Sequence, residues 1–303
     1  MKQTATSDHE TKIGVLNALG AFVIWGLSPL YYRAIGEAPA LEILAHRAIW
    51  SLLLTLLLVG VTGQLRTFIT LFRNFRIQLT LLLSSLLVSV NWLGFIWAVN
   101  NGKALEASMG YYIMPIIMVV LGRLFLDERL NRNQMISLLL VSLGVLNLLV
   151  AFQQLPWIAL LLSLSFGFYS LVRKKVAVSA LVGLTMECLF LAPLAAIYLF
   201  YLKHQGVLVF GSGEITFDLL LISSGLVTAL PLILFTSASK RLRLGTLGLV
   251  QYLNPTCQFL LAVFLFNEPF SNHHLHTFIL IWLGLTIFTL DSRKRFKQEA
   301  EIR

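Results

Sequence analysis

The sequence contains 303 residues, of which 57% are hydrophobic and only 12% are charged. Soluble chains carry about one-quarter charged residues, so this composition excludes an ordinary soluble protein and predicts a membrane protein with many spans. The net charge of +9 does not indicate a nucleic-acid partner, because the basic residues are spread between apolar runs instead of forming one patch.

Ten apolar runs approach or exceed the roughly 20 residues that a membrane-spanning helix needs. The short alternating segments of a membrane barrel do not occur, and a backbone in lipid must satisfy its own hydrogen bonds, so the runs are predicted to be helices. A polar segment, 1–12, precedes the first run, which we interpret as an uncleaved helix. The predicted spans are 13–33, 42–62, 77–99, 104–126, 133–151, 156–172, 180–201, 217–238, 244–266 and 273–290.

Lys and Arg residues divide unequally between the two sides that ten spans define. Nineteen of the 23 lie on the side of both termini, three lie on the other side, and Arg47 falls inside a span. Because Lys and Arg accumulate in cytoplasmic loops, we expect the segments 1–12 and 291–303 to be cytoplasmic and the protein to lie in the cell inner membrane. The basic segment 291–303 is expected to contact anionic lipid.

The chain contains an internal repeat with a constant offset of 140 residues, which predicts one unit over 13–151 and a second over 156–290. Each unit holds five spans, an odd number, so the second must enter the membrane in the opposite direction. The resulting fold is an all-α membrane protein with ten transmembrane helices in two inverted five-helix repeats. The matching pairs include Tyr112 with Tyr252, Pro115 with Pro255, Glu128 with Glu268 and Gly144 with Gly284.

Several longer strings carry a family resemblance that covers nearly all of residues 13–290. They are "HRAIWS", "NWLGFIWAVNN", "LEASMGYYIMP", "FYSLVRKK" and "TLGLVQYLNP". With the two five-helix halves, they make the sequence resemble the EamA-type drug/metabolite transporter superfamily and, within it, the RarD-like branch. The resemblance implies a central cavity lined by spans 1–4 and 6–9, more peripheral spans 5 and 10, and export or exchange of small metabolites by alternating access. One departure is Pro269, directly after the motif glutamate, where we expect the loop to differ in local shape.

The stretch "EILAHRAIW" places three ionisable residues at the start of the second span. We interpret Glu42 as an interfacial acid at the helix start. Arg47 lies five residues deeper, about 7–8 Å at 1.5 Å per residue, and a charge there normally faces a polar interior. We therefore predict Arg47 in the transport cavity, where it would attract an anionic group. His46 beside it is a further candidate, either packed and neutral or titrating.

The remaining candidates form two predicted polar layers of the cavity. Glu187 is the repeat equivalent of Arg47. It lies within the seventh span, which starts at the inner side, so we expect Glu187 in an inner layer and able to carry a proton. The outer layer would hold Arg47 with Asn91, Trp92, Glu106 and Tyr112, and the inner layer Glu187 with Tyr252 and Asn254.

The sequence thus predicts an exporter or exchanger of small organic metabolites or drugs. A channel-like facilitator is the alternative, followed by a membrane-embedded enzyme, for which no His, Asp and Cys spacing supplies a nucleophile and base. The two cysteines match no metal spacing and the histidines at 273–276 lack acidic partners, so neither a metal nor a cofactor is expected. The expected partners are a small-molecule substrate and the lipid bilayer; proton coupling is left open, as is the choice between monomer and homodimer.

Overall fold

The computed structural model describes residues 2–128, 131–152, 157–268 and 270–301, and within them it contains helices and no strands. The first six α-helices are α1 (Lys2–Ala34), α2 (Ala40–Val61), α3 (Leu65–Leu71), α4 (Phe75–Asn100), α5 (Ala104–Phe125) and α6 (Arg132–Phe152). The next six are α7 (Trp157–Lys175), α8 (Ala180–His204), α9 (Ile215–Arg241), α10 (Leu244–Val250), α11 (Leu253–Leu260) and α12 (Asn272–Glu301). A π-helical turn over Leu261–Leu265 continues α11.

Eight segments of the described residues are long and apolar enough to cross a membrane. They coincide with eight of the predicted spans, and each presents exposed leucine, isoleucine, valine or phenylalanine side chains on its outer surface. The other two predicted spans, 133–151 and 273–290, fall within α6 and α12, which are not among these eight. The chain is therefore an all-α, multi-pass membrane protein.

The connections gather at two opposite ends of the helix bundle. At one end, residues from the connections after α1, α4 and the π-helical turn surround a common space. At the other end, Gln64 accepts a hydrogen bond from Ser179 at 2.9 Å, and Lys174 donates to the carbonyl of Leu242 at 2.8 Å. Consecutive connections between the long helices thus alternate between the ends, as the spans in the sequence predict.

The predicted span 244–266 is not one continuous helix. It is divided between α10 and α11 at Gln251 and Tyr252, whereas its repeat equivalent α5 is unbroken. Pro255 has no N–H to donate to the carbonyl of Gln251, four residues earlier, and that carbonyl accepts from the amide of Asn254 at 2.9 Å instead. Pro115 occupies the equivalent position without interrupting α5, so the proline permits the break but does not dictate it.

The loops that carry the motif glutamates have the same backbone geometry in both halves. The residue before each glutamate is left-handed, with φ of 52° at Asp127 and 54° at Asn267. The expected difference in shape is therefore absent up to Glu268, and Pro269 lies outside the described residues. The amide of each glutamate donates to an equivalent carbonyl, from Glu128 to Gly122 at 3.1 Å and from Glu268 to Ala262 at 3.0 Å.

Helices α6 and α12 pack through reciprocal contacts between equivalent residues. A methyl group at Gly144 would lie 3.1 Å from the carbonyl oxygen of Thr277, and one at Gly284 would lie 2.9 Å from that of Ser137. Residue 277 is the repeat equivalent of 137, and 284 that of 144, so the same pair of positions meets twice. Contacts that repeat in this way are typical of a two-fold relation between the two partners.

This close approach predicts that Gly284→Ala destabilises the bundle, because the added methyl group would press on the backbone carbonyl of Ser137. Gly60→Ala is the matched control, since Gly60 is also helical and no neighbour lies within 4 Å of an added methyl group. We expect a lower melting temperature in detergent for the first variant. The control should have an unchanged or higher melting temperature, because alanine in a helix is favoured over glycine by about 0.5–1 kcal/mol in the free energy of unfolding. Equal melting temperatures for the two variants would contradict the reciprocal packing.

Candidate functional site

A small cavity of about 30 Å³ lies between the two halves of the chain. We call it the Arg47 cavity. Its aromatic lining consists of Trp25, Tyr32, Trp92, Phe95, Tyr111 and Phe166. Its polar lining consists of Ser28, Arg47, Asn91, Gln251, Asn254 and Gln258.

Of the residues that the structure describes, Arg47 is the one charged residue in the lining of this cavity, and it is only 3% exposed. Its Nε donates to the hydroxyl of Thr228 on α9 at 2.8 Å. The guanidinium carbon lies 4.4 Å from the ring centre of Trp92 and 5.2 Å from that of Tyr32, which are cation–π distances. Among the described residues, no carboxylate lies within ion-pairing distance of Arg47.

Asn91 fixes the wall of the cavity opposite α10 and α11, which together form the broken helix. Its amide nitrogen donates to the carbonyl of Leu162 at 2.9 Å and to the hydroxyl of Ser165 at 3.2 Å, both on α7. Its carbonyl oxygen accepts from the hydroxyl of Tyr111 on α5 at 3.4 Å. Asn91 therefore joins three helices, and the neighbouring Trp92 presents its ring to Arg47.

The broken helix supplies three amide side chains to the cavity. The Gln258 nitrogen donates to Asn254 Oδ1 at 2.8 Å and to the carbonyl of Trp25 at 3.3 Å. The Gln251 nitrogen donates to the sulfur of Met114. The side-chain oxygens of Gln251 and Gln258 are buried and have no hydrogen-bond partner.

Sequence reasoning missed Gln251 and Gln258, although a signal was present. In "QYLNPTCQ" the three amides lie at positions 251, 254 and 258, which is the spacing of one helical face. An apolar span that repeats polar residues on one face is expected to direct that face toward a polar interior.

A second space, the vestibule, adjoins the Arg47 cavity toward one end of the bundle. It is lined by Arg33, Gly36, Glu37, Val99, Asn100, Gly102, Phe266 and Glu268. These residues follow cavity residues on α1, on α4 and on the broken helix, so the same segments line both spaces. The guanidinium of Arg33 lies 4.3 Å from the ring centre of Phe266.

Glu268 connects the vestibule to the start of α5. Its carboxylate accepts hydrogen bonds from the backbone amides of Leu105 at 2.8 Å and Ala104 at 3.2 Å. The helix end that this glutamate caps belongs to the other half of the chain. Burial raises the pKa of the Glu268 carboxyl above its ordinary value, and the two amide donors oppose that rise.

The structure brings four of the predicted site residues together in the Arg47 cavity: Arg47, Asn91, Trp92 and Asn254. The predicted outer and inner layers are therefore wrong for Asn254, which shares the cavity with Arg47. Tyr112 and Tyr252 also fail to separate by layer, since their ring centres lie 6.1 Å apart in a cluster with Phe278. Repeat equivalents that lie this close to each other are typical of a two-fold relation, which the assignment by depth did not take into account.

Three other candidates lie outside the cavity lining. His46 accepts a hydrogen bond at Nδ1 from the Trp50 indole at 3.2 Å and packs against Phe210, the arrangement of a packed histidine. Glu106 pairs with Lys103 at 3.4 Å and is 42% exposed. Glu187 is the third, and it pairs with Arg173.

Glu42 is not the solvated interfacial acid that the sequence suggested. It is 0% exposed. One carboxylate oxygen accepts from the backbone amides of Val209 and Phe210 at 3.0 and 3.1 Å. The segment between α8 and α9 folds over the start of α2 and takes the place of water there.

Glu187 and Arg173 form a buried ion pair away from the Arg47 cavity. The Arg173 Nε lies 3.5 Å from Glu187 Oε1, and neither side chain is more than 1% exposed. The same carboxylate oxygen accepts from the Ser84 hydroxyl at 2.5 Å. Arg173 was counted only as part of a basic loop, and its packing leaves no room for a methyl group at Gly183.

Comparisons with known proteins agree with this architecture. The model of the EamA-like transporter family matches residues 12–150. The protein RarD of Escherichia coli K12 is 46% identical over 283 residues, which cover 93% of this chain and 96% of that protein. An uncharacterized transporter of Vibrio cholerae is 43% identical over 94% of this chain and 95% of its own length.

A solved crystal structure shares the fold, with a TM-score of 0.68 over 93% of this chain and 97% of the other, at 18% sequence identity. The identities with RarD and with the Vibrio protein extend over both halves of the chain, beyond the region that the family model matches. The chain therefore belongs to the EamA-like transporter family, as a RarD-like membrane transporter of small molecules.

Proposed function

We propose that this transporter moves small organic anions through the Arg47 cavity by alternating access, as an exporter or exchanger. The observation that carries the proposal is the environment of Arg47, a buried cation with aromatic neighbours and one protein hydrogen bond, but no carboxylate partner. A buried charge without a counter-ion is costly. A carboxylate on the substrate would supply the missing charge and form two parallel hydrogen bonds with the guanidinium.

The aromatic lining favours a substrate with an apolar part beside the anionic group. Trp92 and Tyr32 restrain the guanidinium, while Trp25, Phe95 and Phe166 line the rest of the space. Such a combination of apolar walls and a few fixed polar groups is typical of small-molecule sites. The cavity is lined by a single chain, so the proposal requires only a monomer.

The repeat geometry supports a fold of two inverted five-helix halves. Phe125, at the end of α5, has the Lys175 ammonium 5.3 Å from its ring centre and so lies at the end of the bundle opposite the vestibule. Phe266, which follows the equivalent helix of the second half, lines the vestibule. The repeat equivalent of Phe125 is Leu265, directly before Phe266, so matching segments of the two halves lie at opposite ends. This placement, together with the reciprocal packing of α6 and α12, favours a two-fold axis in the membrane plane.

The two ends of the bundle differ in how tightly they are closed. At the vestibule end, residues that follow the cavity residues along α1 and α4 line a second space. At the other end, Arg173 and Glu187 are buried together, and Lys174 donates to the carbonyls of Ser239 and Leu242. We therefore assign this conformation to a state that opens toward the vestibule, and alternation would require the Arg173–Glu187 end to separate.

The first prediction of this proposal concerns Arg47. Arg47→Ala is expected to weaken binding of 3-phenylpropionate to purified protein at neutral pH by about tenfold or more, because charged hydrogen bonds are worth about 1.5–3 kcal/mol. Arg47→Lys should lie between the two, since it keeps the charge but loses the planar donor pair. Binding is measured by calorimetry, and saturable exchange of the labelled acid is measured in proteoliposomes.

Arg33→Ala is the matched control for this experiment. Arg33 also lies over an aromatic ring, that of Phe266 at 4.3 Å, but in the vestibule. Its replacement should leave the affinity within about twofold, or about 0.4 kcal/mol. Unchanged binding in Arg47→Ala, or an equal loss in both variants, would contradict the role of Arg47. Flux that rises linearly without saturation would favour a channel over a carrier.

A second prediction concerns orientation in the cell inner membrane, with both termini in the cytoplasm. In a background of Cys188→Ser and Cys257→Ser, single cysteines at Glu37, Leu208 and Phe270 should react with an impermeant maleimide from outside intact cells. Single cysteines at Gly63 and Ala177 should react only after the membrane is permeabilised. Protection at 208 or 270 would reject the inverted second half.

A third prediction concerns closure by the Arg173–Glu187 pair. Glu187→Gln leaves Arg173 buried without a counter-charge, so a loss of about 3–5 kcal/mol of stability is expected, and Arg173→Gln with Glu187→Gln should recover most of it. With this end loosened, the adjacent buried Cys188 should react faster with a permeant maleimide in the double variant, measured in a Cys257→Ser background.

Protection of Cys188 equal to that of the parent would show that the ion pair does not close this end.

The double variant also tests the proposal that Glu187 carries a proton. Its exchange rate should lose the pH dependence of the parent if transport is coupled to that proton. An identical pH profile would leave exchange without protons as the mode of transport.

A further inference from the structure

We infer that the substrate of the Arg47 cavity carries a neutral N–H or O–H donor close to its anionic group, and has a net charge of −1. This inference rests on the proposed function, and it narrows the substrate class to hydroxy or amide derivatives of organic acids. The feature that points to it is the pair of unpartnered, buried amide oxygens of Gln251 and Gln258.

The orientation of the Gln258 amide is fixed by its own contacts. Its nitrogen has two acceptors, Asn254 Oδ1 and the carbonyl of Trp25, so its oxygen is the atom left over. Gln258 is 2% exposed and Gln251 is 1% exposed, which keeps water from reaching these oxygens. Buried polar atoms in proteins are normally hydrogen-bonded, and a donor group on a ligand would satisfy both.

The break in the helix is what makes these two acceptors available. Gln251 lies at the end of α10 and Gln258 within α11, on either side of Asn254. Discontinuous helices near the middle of a transporter commonly provide polar groups for a substrate. Here the acceptors face a donor, while Arg47 on α2 faces the anion, so a substrate would contact both halves of the chain at once.

The charge of the lining distinguishes a neutral donor from an ammonium group. Arg47 is the only charged residue among those that line the cavity, and no carboxylate lines it. An ammonium group would be a second cation in the same enclosed space as the Arg47 guanidinium. The lining offers no carboxylate to pair with it, so its positive charge would be disfavoured there. A carboxylate with a neutral donor balances the site, whereas a zwitterion leaves it with a net charge of +1.

The experiment compares four ligands that share one skeleton. Purified protein is titrated at neutral pH with 3-phenyllactate, 3-phenylpropionate, phenylalanine and methyl 3-phenyllactate. These carry, respectively, an anion with a hydroxyl donor, an anion alone, an anion with an ammonium group, and a hydroxyl donor without the anion. We expect 3-phenyllactate to bind at least about tenfold more tightly than each of the other three, because a site with buried acceptors discriminates against ligands that leave them unpaired.

The acceptors themselves are tested with Gln251→Leu, which removes one amide oxygen and disturbs only a contact to the sulfur of Met114. The ratio of the dissociation constants of 3-phenylpropionate and 3-phenyllactate, both measured on this variant, should fall below that of the parent. Gln251→Glu keeps an acceptor and adds a negative charge, so it should raise the affinity for phenylalanine relative to 3-phenyllactate. Gln258→Leu is less informative because it also removes the bonds to Asn254 and Trp25.

Each outcome bears on one of the two proposals. If 3-phenyllactate and 3-phenylpropionate bind equally and both depend on Arg47, the donor inference is overturned and the anion carrier stands. If phenylalanine binds best in the parent protein, a zwitterion is the substrate class and the inference is overturned. If neither acid binds, or if the methyl ester binds as well as the acids, the organic-anion function fails together with the inference that rests on it.

Discussion

The arrangement of the central helices follows from the need to accommodate one cation, Arg47, inside an apolar bundle. The side chain is 3% exposed and, in the part of the chain that the structure describes, no carboxylate lies within ion-pairing distance of it, so its stabilisation comes from Thr228 and from the faces of Trp92 and Tyr32. Each contact comes from a different helix: α9, α4 and α1, respectively. Arg47 thereby ties α2 to its neighbours, but the contacts leave its terminal nitrogens without a counter-charge, and a site poised for an anion results.

Arg173, in contrast, is a buried arginine whose charge is neutralised by a carboxylate of the same chain. There the guanidinium lies against Glu187, which Ser84 also contacts. Arg47 and Glu187 occupy equivalent positions in the two repeats, so one duplicated position now serves two different purposes. In the first half it provides a charge for a ligand, and in the second half it provides a partner that closes one end of the bundle.

Much of the fold could be predicted from the sequence because membrane spans and repeats leave direct signals. The hydrophobic runs predicted the long helices, and the offset of 140 residues led to loops whose left-handed residues, Asp127 and Asn267, match in φ. The break at Gln251 could not be predicted, because a proline at the equivalent place, Pro115, leaves α5 intact. Whether a helix breaks there depends on the packing of its neighbours, which lies outside the local sequence.

The candidate site was predictable only where burial cost and residue type point to the same conclusion. An arginine inside a span is expensive, so Arg47 was identified, and Asn91 and Asn254 followed from their polarity. The pairing of Glu187 with Arg173 was not predicted, because Arg173 is 14 positions earlier and looked like one of several basic residues at a helix end. Depth along a helix states how far a residue lies from the surface, but it does not state which side of the helix faces the cavity.

That distinction explains why the amide oxygens are more informative about the ligand than the charge is. A buried cation requires an anion, and many metabolites carry one, so Arg47 alone selects a very broad class. The unpartnered oxygens of Gln251 and Gln258 are neutral, fixed in position and specific for a donor, and an unpaired buried acceptor penalises every ligand that cannot supply one. Under the proposed function, selectivity in this cavity would depend on the two glutamines, while Arg47 would provide affinity and a counter-charge to be exchanged or released on each passage.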